Sequence, residues 1–338
     1  MKARLGFALI SGFLVLISIF ADFLSSNPPQ MQNLKQFYHP PVRIHFAKLG
    51  NPFIYRTQLT NPLDVLYEAD ARMAFPLEFF FKGYRYKLFG LIQLDRHLVG
   101  RSQPPFYYPL GTDELGRDVL ARVLAGTKTS MLVVLLGLII YAVLGITIGA
   151  VAGLSGGWID SLLMRFSEFV LALPALYLVL AMRALAPVRI PFIQNLFLVV
   201  GIIAAVAWPP MARGIRGLIL QLRNSGHVEA ARSLGATPVR ILRRHMLPFL
   251  LPFALSQLAA AAPIFLLGEV TLSFLDIGFR DSGESWGTML RSLKDTRVLT
   301  DFWWNLLPLC MIFLTMLCLN LLSSRLDRGK RDNQVMRI

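Results

Sequence analysis

Residues 130–154 read SMLVVLLGLIIYAVLGITIGAVAGL, an unbroken run from Ser130 to Leu154 with no charged side chain. About 20 apolar residues rising 1.5 Å each span the hydrocarbon core of a bilayer, so this stretch predicts a transmembrane helix. It is apolar on all sides, without the stripe of polar positions that a helix on a soluble protein shows. Four later blocks read the same way: Leu162 to Leu185, Phe192 to Met211, Leu247 to Leu275 and Phe302 to Leu322. A sixth, Leu5 to Leu24, follows the basic start Met1-Lys2-Ala3-Arg4. That start resembles a signal peptide, but no small-x-small cleavage site follows and the apolar run exceeds the usual signal core, so 1–24 is read as an uncleaved first span. Composition agrees: 55% of the 338 residues are hydrophobic and 16% charged, more apolar than a soluble domain. The expected fold is an all-α membrane protein with six transmembrane helices.

The expected organisation is a first helix at 1–24, an extramembrane segment at 25–122, a five-helix domain at 123–324 and a basic tail at 325–338. The segment at 25–122 carries many prolines and no spanning block, and reads as an α+β or irregular insertion. Phe53 to Thr57 and Tyr84 to Leu88 have the aromatic, alternating content of strands, and Lys82-Gly83 is placed at a hairpin turn. Orientation comes from lysine and arginine near the spans. Residues 213–247 hold Arg213, Arg216, Arg223, Arg232, Arg240, Arg243 and Arg244 against the single acid Glu229, and the tail adds Arg325, Arg328, Lys330, Arg331 and Arg337, whereas 276–301 is slightly acidic. Both termini and the 213–247 loop are therefore expected in the cytoplasm, with 25–122 outside.

The net charge of +14 does not read as a nucleic-acid surface, because the basic residues flank the apolar blocks. The two cysteines, Cys310 and Cys318, both lie in the last block and suggest neither a disulfide nor a metal site. Gly137, Tyr141, Gly145, Gly149 and Gly153 recur every four residues, a ridge against which another backbone can pack closely, either in this chain or in a second subunit. Arg165, Glu168, Arg183 and Glu269 fall near span ends, where side chains can reach the interface.

The loop from Glu229 to Pro248, EAARSLGATPVRILRRHMLP, is longer than a turn between spans requires. Glu229 suits the positive end of a first short helix, Gly235 a left-handed helix end, Thr237 the cap of a second short helix and Pro238 its first position. A structured basic helix pair is suited to docking a cytoplasmic partner. The positive-inside rule alone explains its charge but not its caps.

This stretch resembles the EAA loop of binding-protein-dependent ABC-transporter permeases, with Glu229, Ala230, Ala231, Gly235, Leu247 and Pro248 at the motif positions and His245 as in the peptide-transporting branch. Gly111, Thr112, Asp113, Gly116, Arg117 and Asp118 resemble the signature before the second span in the dipeptide, oligopeptide and nickel importer group, in its second, C-type permease. Gly157-Trp158-Ile159-Asp160, Leu272-Ser273-Phe274-Leu275 and Ser285-Trp286-Gly287 agree. Glu168 and Phe249 depart from the usual aspartate and asparagine, and 25–107 is longer than in typical members. The resemblance implies a type I importer permease fold in a bacterial inner membrane, which takes the 229–248 loop, with Arg240, Arg243 and Arg244, as the coupling element for ATPase subunits. It also implies a homologous permease partner, two cytoplasmic ATPase subunits, an extracytoplasmic substrate-binding protein, a lipid surround and a peptide substrate.

The sequence has no Gly-x-x-x-x-Gly-Lys-[Ser/Thr] loop; Gly126-Thr127-Lys128-Thr129-Ser130 lacks the spacing. No His-Glu-x-x-His or Gly-x-Ser-x-Gly occurs, so no catalytic residue, metal or cofactor is expected. A permease for nickel or another chelated or modified solute, and a secondary transporter, are the alternatives.

Overall fold

The computed structural model describes residues 18–46, 51–88, 91–185, 187, 190–279 and 283–335, and, within these, the backbone alone at 227, 238 and 322–335. The expected first span lies largely outside the described residues; of it, 18–24 are helical. Three described helical stretches are long and apolar enough to cross a bilayer, Val119–Ser155, Val239–Phe274 and Trp303–Leu321, and the number rises to five if each of two bent helix pairs forms one span.

Helix α1, Val119–Ser155, begins eleven residues before the apolar block, because Asp118 accepts from the N–H groups of Leu120 and Ala121 and caps it there. Helices α2, Gly157–Ala172, and α3, Ala175–Ala184, make up the next block but bend by 92°. The cause is Pro174, whose ring forces Leu173 into extended backbone at ψ 137°. Helices α4, Phe192–Ala207, and α5, Pro209–Arg223, bend by 48° where Pro209 and Pro210 start a new helix. Arg213, Arg216 and Arg223 therefore lie on a helix, not in the loop to which charge counting assigns them. Helix α6 is Gly226–Ser233, α7 Pro238–Ile241 and α8 Leu247–Phe274, the last with Pro252 and Pro263 inside it. After α9, Trp286–Met289, and α10, Thr296–Asp301, a 3₁₀ turn at Trp303–Leu306 leads into α11, Leu307–Val335.

The segment between 25 and 122 is built mainly from antiparallel strands. Strands β1 (His45–Phe46), β2 (Pro52–Asn61) and β3 (Leu66–Pro76) form one sheet in that order; β4 (Glu78–Leu88) and β5 (Ile92–Gly100) form a hairpin. Lys82-Gly83 does not turn the hairpin. It sits inside β4 at a register shift, where a Cβ on Gly83 would lie 2.5 Å from the buried His97 ring. Glycine is there to let the imidazole cross the strand.

The chain groups into two compact units, residues up to 131 with 270–315, and 132–269 with 316–338. The first has an apolar core of Val119, Val123, Met289, Val298, Phe302 and Trp304, on which Tyr38 and Val65 pack. The second includes a cluster of Val170, Trp208 and Ala212 against Leu144 and Ile148.

Candidate functional site

The 229–248 loop is ordered by its own backbone chemistry. Gly235 has φ +77°, and the N–H groups of Gly235 and Ala236 donate to Arg232 O at 2.9 Å and Ala231 O at 3.0 Å. Those two bonds close α6 in a Schellman turn. Thr237 Oγ1 accepts from Arg240 N–H at 3.4 Å, and Pro238 starts α7, so the capped restart is present.

The second helix, however, is not short. From α7 it passes through a π turn at Leu242–Met246 into α8, and the apolar stretch Val239–Phe274 is continuous. The reason is Pro248: its ring crowds the Arg244 carbonyl and it has no N–H to offer, so the turn widens and Leu247 N–H reaches back five residues to Leu242 O. The loop is thereby continuous with a helical rod of about 50 Å.

Glu229 lies in the first turn of α6 and is exposed, as is Ala230. Ala231 turns inward at 8% exposure, whereas Leu234 is 89% and Val239 64% exposed at the tip. Arg240, Arg243 and Arg244 are exposed, without a carboxylate partner among the described residues; His245 and Leu247 are half-buried and Pro248 is exposed. The loop thus presents apolar tip residues within a cationic surround.

At the other signature, two tight backbone positions hold the strand-bearing segment. Gly111 has φ +73° and Gly116 φ +69°; a Cβ on the first would meet His39 O at 2.5 Å, and one on the second would overlap Asn33 O. Thr112 is fully buried, accepting from His39 N–H and donating to Gln36 O. Asp113 accepts from Arg117 Nε at 2.7 Å and pairs with Arg122, whose Nη2 lies 2.8 Å from Glu284 Oε2. Asp118 accepts from Asn27 Nδ2 at 2.8 Å, and burial pushes its carboxyl up to about 7 against the three N–H donors that favour its charge. His39 moves the other way: burial lowers it to about 4. Sequence reasoning missed Glu284, which lies 162 residues from Arg122 in the chain.

The glycine ridge is used inside the chain. A Cβ on Gly149 would stand 2.5 Å from Ala212 O and 2.9 Å from Ile215 Cβ, and one on Gly153 would stand 2.8 Å from Ile219 Cγ2. One on Gly145 would overlap Met211, and one on Gly137 the Phe265 ring. Helices α1 and α5 therefore touch through nearly bare backbone. A bidentate pair, Arg216 Nε to Asp160 Oδ1 at 3.0 Å and Nη2 to Oδ2 at 2.6 Å, ties α5 to α2; it too was missed, because each residue reads alone as an interface charge. Arg165 and Glu168 pair with each other at the surface, while Arg183 and Glu269 are buried and so do not reach out to an interface.

Binding-protein-dependent transport system inner membrane component is the family matched by residues 145–332, more than half of the chain. The chain belongs to this family. The family match takes in the 229–248 loop and the glycines at 145, 149 and 153, and leaves the 111–118 turn outside it. Among individual relatives, the dipeptide transport system permease protein DppC of Bacillus subtilis is 35% identical over 64% of this chain and 66% of its own length. The oligopeptide transport system permease protein OppC of Haemophilus influenzae is 34% identical over 67% and 69%. A solved chain of the MetNI methionine ABC transporter aligns with 15% identity and a TM-score of 0.48, over 62% of this chain and 95% of that one. The resemblance to C-type peptide permeases read from the motifs agrees with these relatives, and this family member is an inner membrane protein with apolar helices.

Proposed function

We propose that this permease is one of two homologous membrane subunits that enclose the pathway of an ATP-driven importer for peptides. In this reading it carries no catalytic residue. Two cytoplasmic ATPase subunits hydrolyse ATP, an extracytoplasmic binding protein delivers the peptide, and both termini face the cytoplasm with 25–122 outside. The observation that carries the coupling role is the exposed, doubly capped loop whose second helix runs without interruption into an apolar span. A docking helix must transmit force without melting, and a Schellman end, a hydroxyl cap and a continuous rod meet that need. Peptide as substrate is supported by the names of the dipeptide and oligopeptide relatives.

Transport then follows from differential binding: ATP favours one arrangement of the ATPase pair, and the loop passes that preference to the spans. The test is co-purification of the full chain, expressed with its neighbouring subunits, and Leu234→Asp. Leu234 is 89% exposed, so the change spares the fold while placing a charge at the docking tip. The ATPase should accompany the wild type and be lost from the variant. An ATPase absent from a folded wild-type preparation, or retained equally by both, overturns the assignment.

A further inference from the structure

In the first unit a pocket of about 480 Å³ opens beside β2, within the size range of small-molecule sites. Arg43, His45, Tyr55, Tyr67, Trp303 and Trp304 form half of its wall, and no carboxylate is among its lining residues. Its frame is fixed. Tyr67 donates to Phe37 O at 2.7 Å, Trp304 Nε1 donates to Thr112 O at 2.9 Å, and the His39 ring is held between Pro40 O and Thr57 Oγ1. Arg43 is exposed and has no carboxylate partner among the described residues.

The pocket's wall includes the first residues of a candidate span. Trp303 and Trp304 begin the apolar span Trp303–Leu321, the level at which tryptophan and tyrosine mark the boundary between hydrocarbon and headgroups. Beside it the β2–β3 turn exposes Leu63 and Leu66, and Arg297 Nη2 donates to Leu63 O at 2.8 Å, fixing that turn against α10. Val65, between those leucines, packs on the core formed by Val298, Phe302 and Trp304. Exposed leucines held at the mouth of a span are suited to a lipid surface.

We propose that this pocket binds the headgroup of a zwitterionic phospholipid, with the phosphate on the Arg43 guanidinium and the ammonium among the Tyr55, Tyr67 and Trp303 rings. Guanidinium suits phosphate through charge-assisted hydrogen bonds, and aromatic faces attract an ammonium through their quadrupoles. A wall without carboxylates leaves the phosphate unopposed. The site requires only the span that begins at Trp303, so it stands or falls separately from the importer assignment.

The experiment is native mass spectrometry of the full chain, purified from membranes, stripped of lipid and titrated with phosphatidylethanolamine. Wild type should retain one phosphatidylethanolamine that Arg43→Gln with Tyr55→Leu binds roughly tenfold more weakly. Arg43→Gln alone, a surface change that leaves the sheet intact, should weaken it in the same direction. Arg56→Gln, on the next residue of β2 and outside this pocket, should bind as wild type does. Soluble glycerophosphoethanolamine should compete while inorganic phosphate at the same concentration should not. Equal occupancy in wild type and both pocket variants overturns the proposal and leaves the pocket to a polypeptide. Equal retention of phosphatidylglycerol removes the role of the rings, and equal competition by inorganic phosphate reduces the site to a simple anion site; each overturns the assignment to a zwitterionic lipid.

Discussion

Gly235→Ala tests the mechanical role proposed for the 229–248 loop. Nothing lies within 4 Å of a Cβ built at Gly235, so alanine meets no clash. It meets only the backbone: at φ +77° an L residue other than glycine costs roughly 1–2 kcal/mol. The Schellman end is held by two hydrogen bonds, each worth about 1 kcal/mol net, so the strain is comparable to what the cap supplies. The capped population should fall roughly 5- to 30-fold. Asparagine fills the same space and tolerates this conformation, so Gly235→Asn should stay within about twofold of wild type. The assay is ATP-driven peptide uptake by proteoliposomes containing the assembled transporter, with membrane insertion measured in parallel. Uptake should drop at least about fivefold for alanine with insertion unchanged. Equal uptake by the alanine and asparagine variants would refute the claim that the helix end transmits force.

Gly149→Val drives a branched side chain into the Ala212 carbonyl, and should lower stability by about 1–3 kcal/mol in thermal unfolding, whereas Gly201→Val, at a position with open space, should change it by less than about 0.5 kcal/mol. Arg122→Met leaves Glu284 facing a neutral side chain and should cost about 3–5 kcal/mol; combined with Glu284→Gln it should cost less than the sum, with at least ~1 kcal/mol of coupling in a double-mutant cycle. Two buried groups should oppose each other between pH 4 and 7. Asp118, raised to about 7, keeps its proton in the folded chain after the unfolded chain has lost it, so its contribution to stability falls as pH rises from the ordinary carboxyl value of 3.8 through 7. His39, lowered to about 4, is neutral when folded but takes a proton when unfolded, so its contribution falls as pH drops from 6.5 to 4. Relative to wild type, Asp118→Asn should therefore lose stability toward low pH and His39→Gln toward high pH. Melting curves across that range check both; parallel shifts for the two variants would contradict the burial argument.

The legible parts of this protein are those governed by local rules. Apolar blocks marked the spans at 130–154 and 247–275 because transfer from water depends on side-chain identity, whatever the neighbours. Gly235, Thr237 and Pro238 announced the helix end and restart because φ preference and capping act within a few residues. Pro174 and Pro248 were also visible, but their effects were not: one breaks α2 from α3 by 92°, while the other merely widens a turn and leaves the rod continuous. Proline removes one donor in either case, and the surrounding packing decides whether the helix bends or adapts.

Side-chain partnerships across long chain separations were not legible. The ridge at Gly145, Gly149 and Gly153 could be read as a close-packing face, yet only the folded chain shows that its partner is α5 of the same molecule. Arg122 finds Glu284, and Arg216 finds Asp160, because helix packing carries charges into reach of each other, and no local signal records such pairs. Composition and short-range chemistry thus determined that the chain belongs in a membrane, which stretches are apolar enough to span it and how the 229–248 loop is capped. Tertiary structure decided which glycine meets which carbonyl, which buried charges are paired, and which rings surround one pocket, since each depends on distances that close only on folding.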